Sequence, residues 1–296
     1  MPFQTYQMAL DYIKKDRAEK LAAIKEQQAR IAEVVKQGGT NDRTLHSMNE
    51  HLDWLMVQAD INNPRVKYNF DRGVVDMNKP VYRFLMDRKW REYRRPLLMQ
   101  RLEQMHIFPD IVPHLDPIVD VPVRFKGYDV QPGTIVHSEV SENHPTLKVI
   151  PFQKKRMLCT VLVVDPDVPN VEKNGFDYRL HWLVSNIPIT HTHTQAIGTG
   201  AKRSDTIVPW LPPHALKGEP YHRLGLLVFE QSGLIDPKKL GEIKRDGFNT
   251  RSFMAKQKMD IIGAYMFRTQ WDSATKAIMQ KHNLPGWDKM FVRTKD

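Results

Sequence analysis

The run MLCTVLVVDPDVP, residues 157–169, decides the fold. Its first eight residues are almost continuously apolar and β-branched, the pattern of a strand buried on both faces, and Asp165-Pro166-Asp167-Val168-Pro169 reads as the loop that ends it. Two further apolar runs answer it. LHWLVSNI (180–187) opens near His181, and LGLLVF (224–229) is entered through His222 and Arg223 after Leu211-Pro212-Pro213. Asp165 closes the first strand, whereas the two histidines open the others. The three polar groups therefore meet on one rim only if the second and third strands run opposite to the first, which the long connection 188–221 permits.

A chain of 296 residues with 41% hydrophobic content can hold two ordinary domains, or one core domain with a large extension. No apolar run approaches the ~20 residues of a membrane span. One cysteine, Cys159, excludes an intramolecular disulfide and a Cys-rich zinc module, and its place in the buried strand makes it a small apolar filler. The excess of 44 basic over 34 acidic residues is concentrated. Between 79 and 101 stand Lys79, Arg83, Arg88, Lys89, Arg91, Arg94, Arg95 and Arg101 against only Asp87 and Glu92, with Tyr82, Phe84, Trp90 and Tyr93 interleaved. Arginine forks among aromatics suit phosphate and stacked bases, so Arg83, Arg88, Lys89, Arg91, Arg94, Arg95 and Arg101 are candidate RNA contacts. Lys289, Arg293 and Lys295 of the basic tail join them.

Upstream of the decisive run the chain is helical. Leu10, Ile13, Leu21, Ile24, Ile31 and Val35 form one narrow stripe, Gly38-Gly39 ends that helix, and Asn41 or Asp42 caps a second one. The second carries Leu45, Met48, Leu52, Leu55, Met56 and Ala59 up to Asn62-Asn63-Pro64, so residues 1–63 form an α-hairpin that leans on a partner. The acidic residues of this segment disagree with a mitochondrial presequence, and any targeting peptide is expected to precede residue 1. Residues 64–121 read as a polar linker followed by an Arg-rich helical segment that Pro96 breaks or restarts, with a domain boundary in the Pro-rich stretch from Phe108 to Val121. Residues 122–272 are a strand-rich domain. Residues 273–296 are a basic helix and a tail with nothing to bury.

DPDVP, a histidine strand, PP followed by an HR dipeptide, and LLVFEQ together resemble the phosphatidylethanolamine-binding protein (PEBP) family, and 248–272 looks like its late helix and closing strand. The resemblance implies an α+β fold: a β-rich domain of antiparallel or mixed central sheets, here preceded by an α-helical extension. It also implies that Asp165, His181 and His222 line a small pocket for an anionic headgroup. Two positions depart from the pattern. Leu224 stands for the tyrosine after HR and Leu211 for the glycine before PP, and the loop HALKGEPYHR is longer. We read the pocket as a remnant closed by these aliphatic side chains, with Asp165 and Asp167 serving as turn-formers.

The extension, with ADINNPRVKYNF and PLLMQRLEQMHIFPDIVP, resembles that of the PEBP-like member of mitochondrial large ribosomal subunits. That implies a non-catalytic structural protein in the mitochondrial matrix, near the central protuberance, contacting large-subunit rRNA and neighbouring ribosomal proteins. Neither a cofactor nor a small-molecule substrate is expected. The alternative is a PEBP-type module that binds a phospholipid or anion, or inhibits a kinase or protease. Enzyme readings find no assembled site: Gly198-Thr199-Gly200-Ala201-Lys202 lacks the spacing of a phosphate-binding P-loop, and His191 and His193 lack further metal ligands nearby.

Overall fold

The computed structural model describes residues 3–37, 42–192, 197 and 206–292. Arg293, Lys295, His193, Gly38-Gly39, Asn41 and the 198–202 turn lie outside them. The chain divides into two compact units between Lys89 and Trp90.

The first unit is helical: α1 (Gln4–Lys36), α2 (Asp42–Asp60), α3 (Pro64–Asp71) and α4 (Pro80–Lys89). α1 and α2 form the expected hairpin, but its core is small. Ile24, Leu55 and Ala59 are buried, with Ala23, Leu52 and Met56 packed beside them. Leu21 and Val35 of the expected stripe stay exposed. Polar ties supplement the apolar contact: Gln27 Nε2 donates to Met48 O at 3.1 Å and Arg17 pairs with Asp60 at 2.8 Å. Residues 64–71 are not linker. Asn63 accepts from the Arg65 N–H at 3.0 Å and Pro64 occupies the first turn, so the Asn-Asn-Pro that stops α2 also starts α3. Val66 of α3 then joins Val81, Tyr82 and Leu85 of α4 in a second small core.

The second unit opens with a π-helical turn, Trp90–Arg94, followed by α5 (Arg95–Gln104). Pro96 has no N–H to give to the carbonyl four residues back, so the helix widens before it and restarts there. Ten strands follow. The short ones are β1 (Val119–Asp120), β2 (Val123–Phe125), β3 (Tyr128–Asp129), β4 (Thr146–Leu147), β5 (Ile150–Pro151) and β8 (Thr206–Val208). The long ones are β6 (Arg156–Asn170), β7 (Gly175–Thr190), β9 (His222–Gln231) and β10 (Met259–Thr269). The main sheet is ordered β10-β9-β6-β7-β8, every pairing antiparallel; β3-β2-β4 and β1-β5 form two smaller sheets.

The central strand β6 has Cys159 and Val161 to Val164 fully buried. It does not stop at Asp165. Instead it continues through both prolines to pair Asn170 with Gly175, and a register shift between Asp165 and Val168 accommodates the missing N–H groups. The boundary expected in the Pro-rich stretch is displaced as well. Leu98, Leu102, Ile107, Ile111 and Val112 belong to the core of the sheet, and a Cβ at Gly225 would stand 2.5 Å from Ile111 Cδ1, so this segment rests directly on β9.

Candidate functional site

Antiparallel pairing of β6 with both β7 and β9 brings the end of one strand beside the beginnings of the others, and Asp165, His181 and His222 do meet. All three are buried. The Asp165 Oδ2 lies 2.8 Å from His222 Nδ1 and 3.8 Å from His181 Nε2, the second too long for a hydrogen bond. His181 Nδ1 donates to Leu211 O at 2.9 Å, and this fixes the ring. Burial pushes the Asp165 carboxyl up, but the facing imidazoles outweigh it and hold the group well below the usual carboxylate range. Burial opposes charge on His222 too. Its hydrogen bonds to Asp165 and Glu219 prevail, raising it to about 9, so the ring is an imidazolium at neutral pH.

Glu219 is the residue that the sequence reading missed. Its Oε2 sits 3.2 Å from His222 Nε2 and accepts from the Leu216 N–H at 2.5 Å. The imidazolium is thereby held between two carboxylates of its own chain. The nearby His214 is arranged in the opposite sense. Its Nδ1 donates to Pro212 O at 3.0 Å while its Nε2 accepts from Arg179 at 3.2 Å, and burial lowers it to about 4.

The next residue along β9 repeats the pattern of His222. Arg223 grips Asp167 through its side chain, Nε to Oδ2 at 2.8 Å and Nη2 to Oδ1 at 2.5 Å, and through its backbone N–H at 2.8 Å, and its Nη1 donates to Asp110 and Met105 O at 2.8 Å each. The adjacent His and Arg thus take Asp165 and Asp167 respectively, and Arg223 takes Asp110 as well. Asp165 also acts as the expected turn-former, accepting from the Asp167 N–H at 2.8 Å.

A profile of phosphatidylethanolamine-binding proteins matches residues 126–277. Large ribosomal subunit protein mL38 of Schizosaccharomyces pombe is 33% identical over 235 residues, covering 78% of this chain and 75% of that protein. The chain belongs to the phosphatidylethanolamine-binding protein family. Protein MOTHER of FT and TFL1 homolog 2 of Oryza sativa subsp. japonica is 24% identical over 172 residues, covering 57% of this chain and 92% of its own length. Among solved structures, the phosphatidylethanolamine-binding protein from Plasmodium vivax matches with TM-score 0.46 and 20% identity over 59% of this chain and 97% of that one.

Leu224 is wholly buried in the sheet core, and neither it nor Leu211 lines the groove of about 1040 Å³ outside His222. Glu219, Phe176, Tyr221, Phe291 and Val292 line it instead. The tail is therefore not without contacts. Phe291 N donates to Lys217 O at 2.8 Å, and at Gly218, φ +90°, a Cβ would fall 1.9 Å from Phe291 O. The signal available in sequence was the lengthened loop itself, which carries an acidic residue three positions before the histidine.

The candidate RNA contacts separate. Arg83 is buried in the first unit and donates to Met77 O, Asn78 O and Asp53, so its charge is taken up by its own chain. Arg88 and Lys89 of that unit are exposed, Lys89 lying over the Phe70 ring. In the second unit Arg94 pairs with Asp120 at 2.7 Å and Arg95 with Asp116, while Arg91, Arg101 and Lys289 are exposed.

Proposed function

We propose that this chain is a non-catalytic structural component of the mitochondrial large ribosomal subunit, held in the matrix against rRNA and neighbouring ribosomal proteins. One observation carries the reading. The match to a large ribosomal subunit protein spans 235 residues and reaches well beyond the PEBP segment 126–277, whereas the plant relative matches over 57% of the chain. The extension is what the ribosomal relative shares and a stand-alone binding module does not need.

The rim chemistry supports the same view. The charge of His222 is taken up by Asp165 and Glu219 of its own chain, and burial pushes the Cys159 thiol up to about 12, far from a nucleophile. In this reading the sheet domain is a rigid body. Arg88, Lys89, Arg91, Arg94, Arg95, Arg101 and the basic tail, Lys289, Arg293 and Lys295, offer phosphate contacts, and Arg83 instead holds α4 in place.

Sedimentation of the tagged protein from mitochondrial lysate tests it. Co-migration with the large subunit through a salt wash is expected, and a wholly slow-sedimenting pool would end the proposal.

A further inference from the structure

Three short basic runs far apart in sequence, KKR (154–156), PKK (237–239) and KQK (256–258), converge on one end of the main sheet. The antiparallel register brings them there. Arg156 opens β6 opposite Thr190 at the close of β7, Leu158 lies opposite Gln231 at the close of β9, and Gln231 lies opposite Met259 at the start of β10. The helix Thr250–Gln257 runs into that start, so Lys256 and Lys258 stand at the same end. The turn Pro237–Lys239 follows β9 just after Ile235, which is tied to Asn186 of β7 by hydrogen bonds of 2.9 and 2.8 Å. All seven cations are exposed. Lys155 is held by Glu230 at 2.6 Å, whereas the other six enter no ion pair among the described residues. The carboxylates beside them are Asp236, which accepts from the Lys238 N–H at 3.0 Å, and the exposed Asp260. The His222 rim, at the opposite end of the same strands, is arranged otherwise: Arg223 is held by Asp110 and Asp167, Lys173 by Asp177 and Arg179 by Asp246. Charge is matched within the chain there and left over here.

We propose that this end of the sheet is an RNA-backbone surface, seated on the phosphates of a helical RNA segment. Six unmatched cations gathered at one end present a positive field to a polyanion. Between residues 154–158 and 188–192 runs a groove of about 930 Å³, walled by Met157, Leu158, Pro188 and Ile189 with Lys154, Lys155 and Arg156 along it, and no carboxylate lines it among the described residues. No Phe, Tyr or Trp lines it among them either. It therefore offers bases nothing to stack on, and it engages a backbone rather than a sequence. A lipid surface is flat, whereas a concave basic groove follows a ridge of phosphates such as the edge of an RNA helix. The identity of the polyanion rests on the ribosomal reading above; the surface itself rests on register and charge. It also ranks the cations of the sheet unit. Arg94 and Arg95 are engaged by Asp120 and Asp116, so the strand-end residues carry the larger share of RNA binding.

Fluorescence anisotropy of the full chain with a labelled RNA duplex of arbitrary sequence tests it. The triple variant Lys154→Gln, Arg156→Gln, Lys258→Gln is expected to weaken binding about tenfold or more and to reduce the slope of log Kd against log salt by about 2–3. Its Tm should be unchanged, because all three side chains are exposed. The double variant Lys238→Gln, Lys239→Gln should weaken binding severalfold on its own. A control, Arg101→Gln, Lys217→Gln, Lys289→Gln, removes the same charge from exposed positions elsewhere on the unit and should cost less than about threefold. Equal losses in the two triple variants would reduce the effect to net charge and overturn the inference, as would RNA affinity indifferent to Lys154, Arg156 and Lys258. Binding to vesicles of phosphatidylserine and phosphatidylcholine without binding to duplex RNA would overturn it in favour of a membrane. A chain that sediments with the large subunit while its strand-end variants hold RNA as the wild type does sinks this inference alone. One that grips duplex RNA through these residues yet never joins the subunit sinks the ribosomal reading alone.

Discussion

The two compact units hold themselves together by different means. The sheet unit surrounds β6 with neighbours on both faces and then places charge inside: Asp165, His222 and Glu219 are nearly inaccessible and satisfied largely by one another. The hairpin unit buries Ile24, Leu55 and Ala59 and little else between α1 and α2, and it leaves Phe3, Tyr6, Met8 and Tyr12 on the surface of α1. Only a deep core can carry buried ions, because their desolvation must be offset by fixed partners and surrounding packing. A thin one leans on something outside itself, as an element of an assembly does. The contrast is sharp enough to be broken by measurement.

The largest effect is expected from Asp165→Asn. It leaves the His222 imidazolium with one carboxylate in a site that excludes water, and removing one partner of a buried pair costs on the order of 3–5 kcal/mol. Urea unfolding followed by near-UV dichroism of the sheet unit checks this. A loss below about 1 kcal/mol would mean that the rim is wet, contrary to its burial.

Next comes pH. His222 is raised in the fold to about 9 from 6.5, so the stability it contributes is complete below pH 6.5 and is lost as pH rises through 9. The shift corresponds to about 3 kcal/mol. His214 has the opposite sign. Lowered to about 4, it contributes stability above pH 6.5 that is lost as pH falls toward 4. The sheet unit should therefore be most stable near neutrality, with Glu219→Gln shrinking the alkaline loss alone. Imidazole resonances titrated by NMR separate the two histidines, and an unchanged His222 midpoint in Glu219→Gln would remove Glu219 from the rim's electrostatics.

That rim was legible in advance to a definite depth. Three apolar runs with one polar group each fixed the antiparallel arrangement, because no other orientation brings Asp165, His181 and His222 together. Glu219 was not legible, since a carboxylate in a long loop reads as solvated until the backbone turns it inward, here by giving it the Leu216 N–H. The same limit hid α3, whose capping Asn63 doubles as the stop signal of α2. It also hid the commitment of Arg83: a charge run shows how many cations are present, whereas the acceptors Met77 O and Asn78 O are backbone groups that no composition reveals. The π-turn is a case in between. Pro96 announced a break, but a widened turn and a sharp stop carry the same sequence mark.

In the hairpin unit Ile24→Ala should cost about 2 kcal/mol, the low end for a buried isoleucine, because so sparse a core can collapse around the gap. Hydrogen exchange of α1 and α2 amides reads this locally, and the sheet amides should be unaffected. Spread of the loss into the β6 amides would show the two units unfolding as one.

The smallest effect should come from Arg17→Ala. The pair with Asp60 joins the two helices at 2.8 Å, but its side chains are 41% and 28% exposed. At that exposure solvent and salt screen the attraction, and ordering two flexible side chains offsets most of what remains, so less than about 1 kcal/mol is expected. The effect should also vanish in high salt. If Arg17→Ala instead cost as much as Ile24→Ala, the hairpin would be held by charge rather than by its apolar seam. Its thin core would then say nothing about a need for an outside partner, and the exposed Phe3, Tyr6 and Tyr12 would have to carry that argument alone.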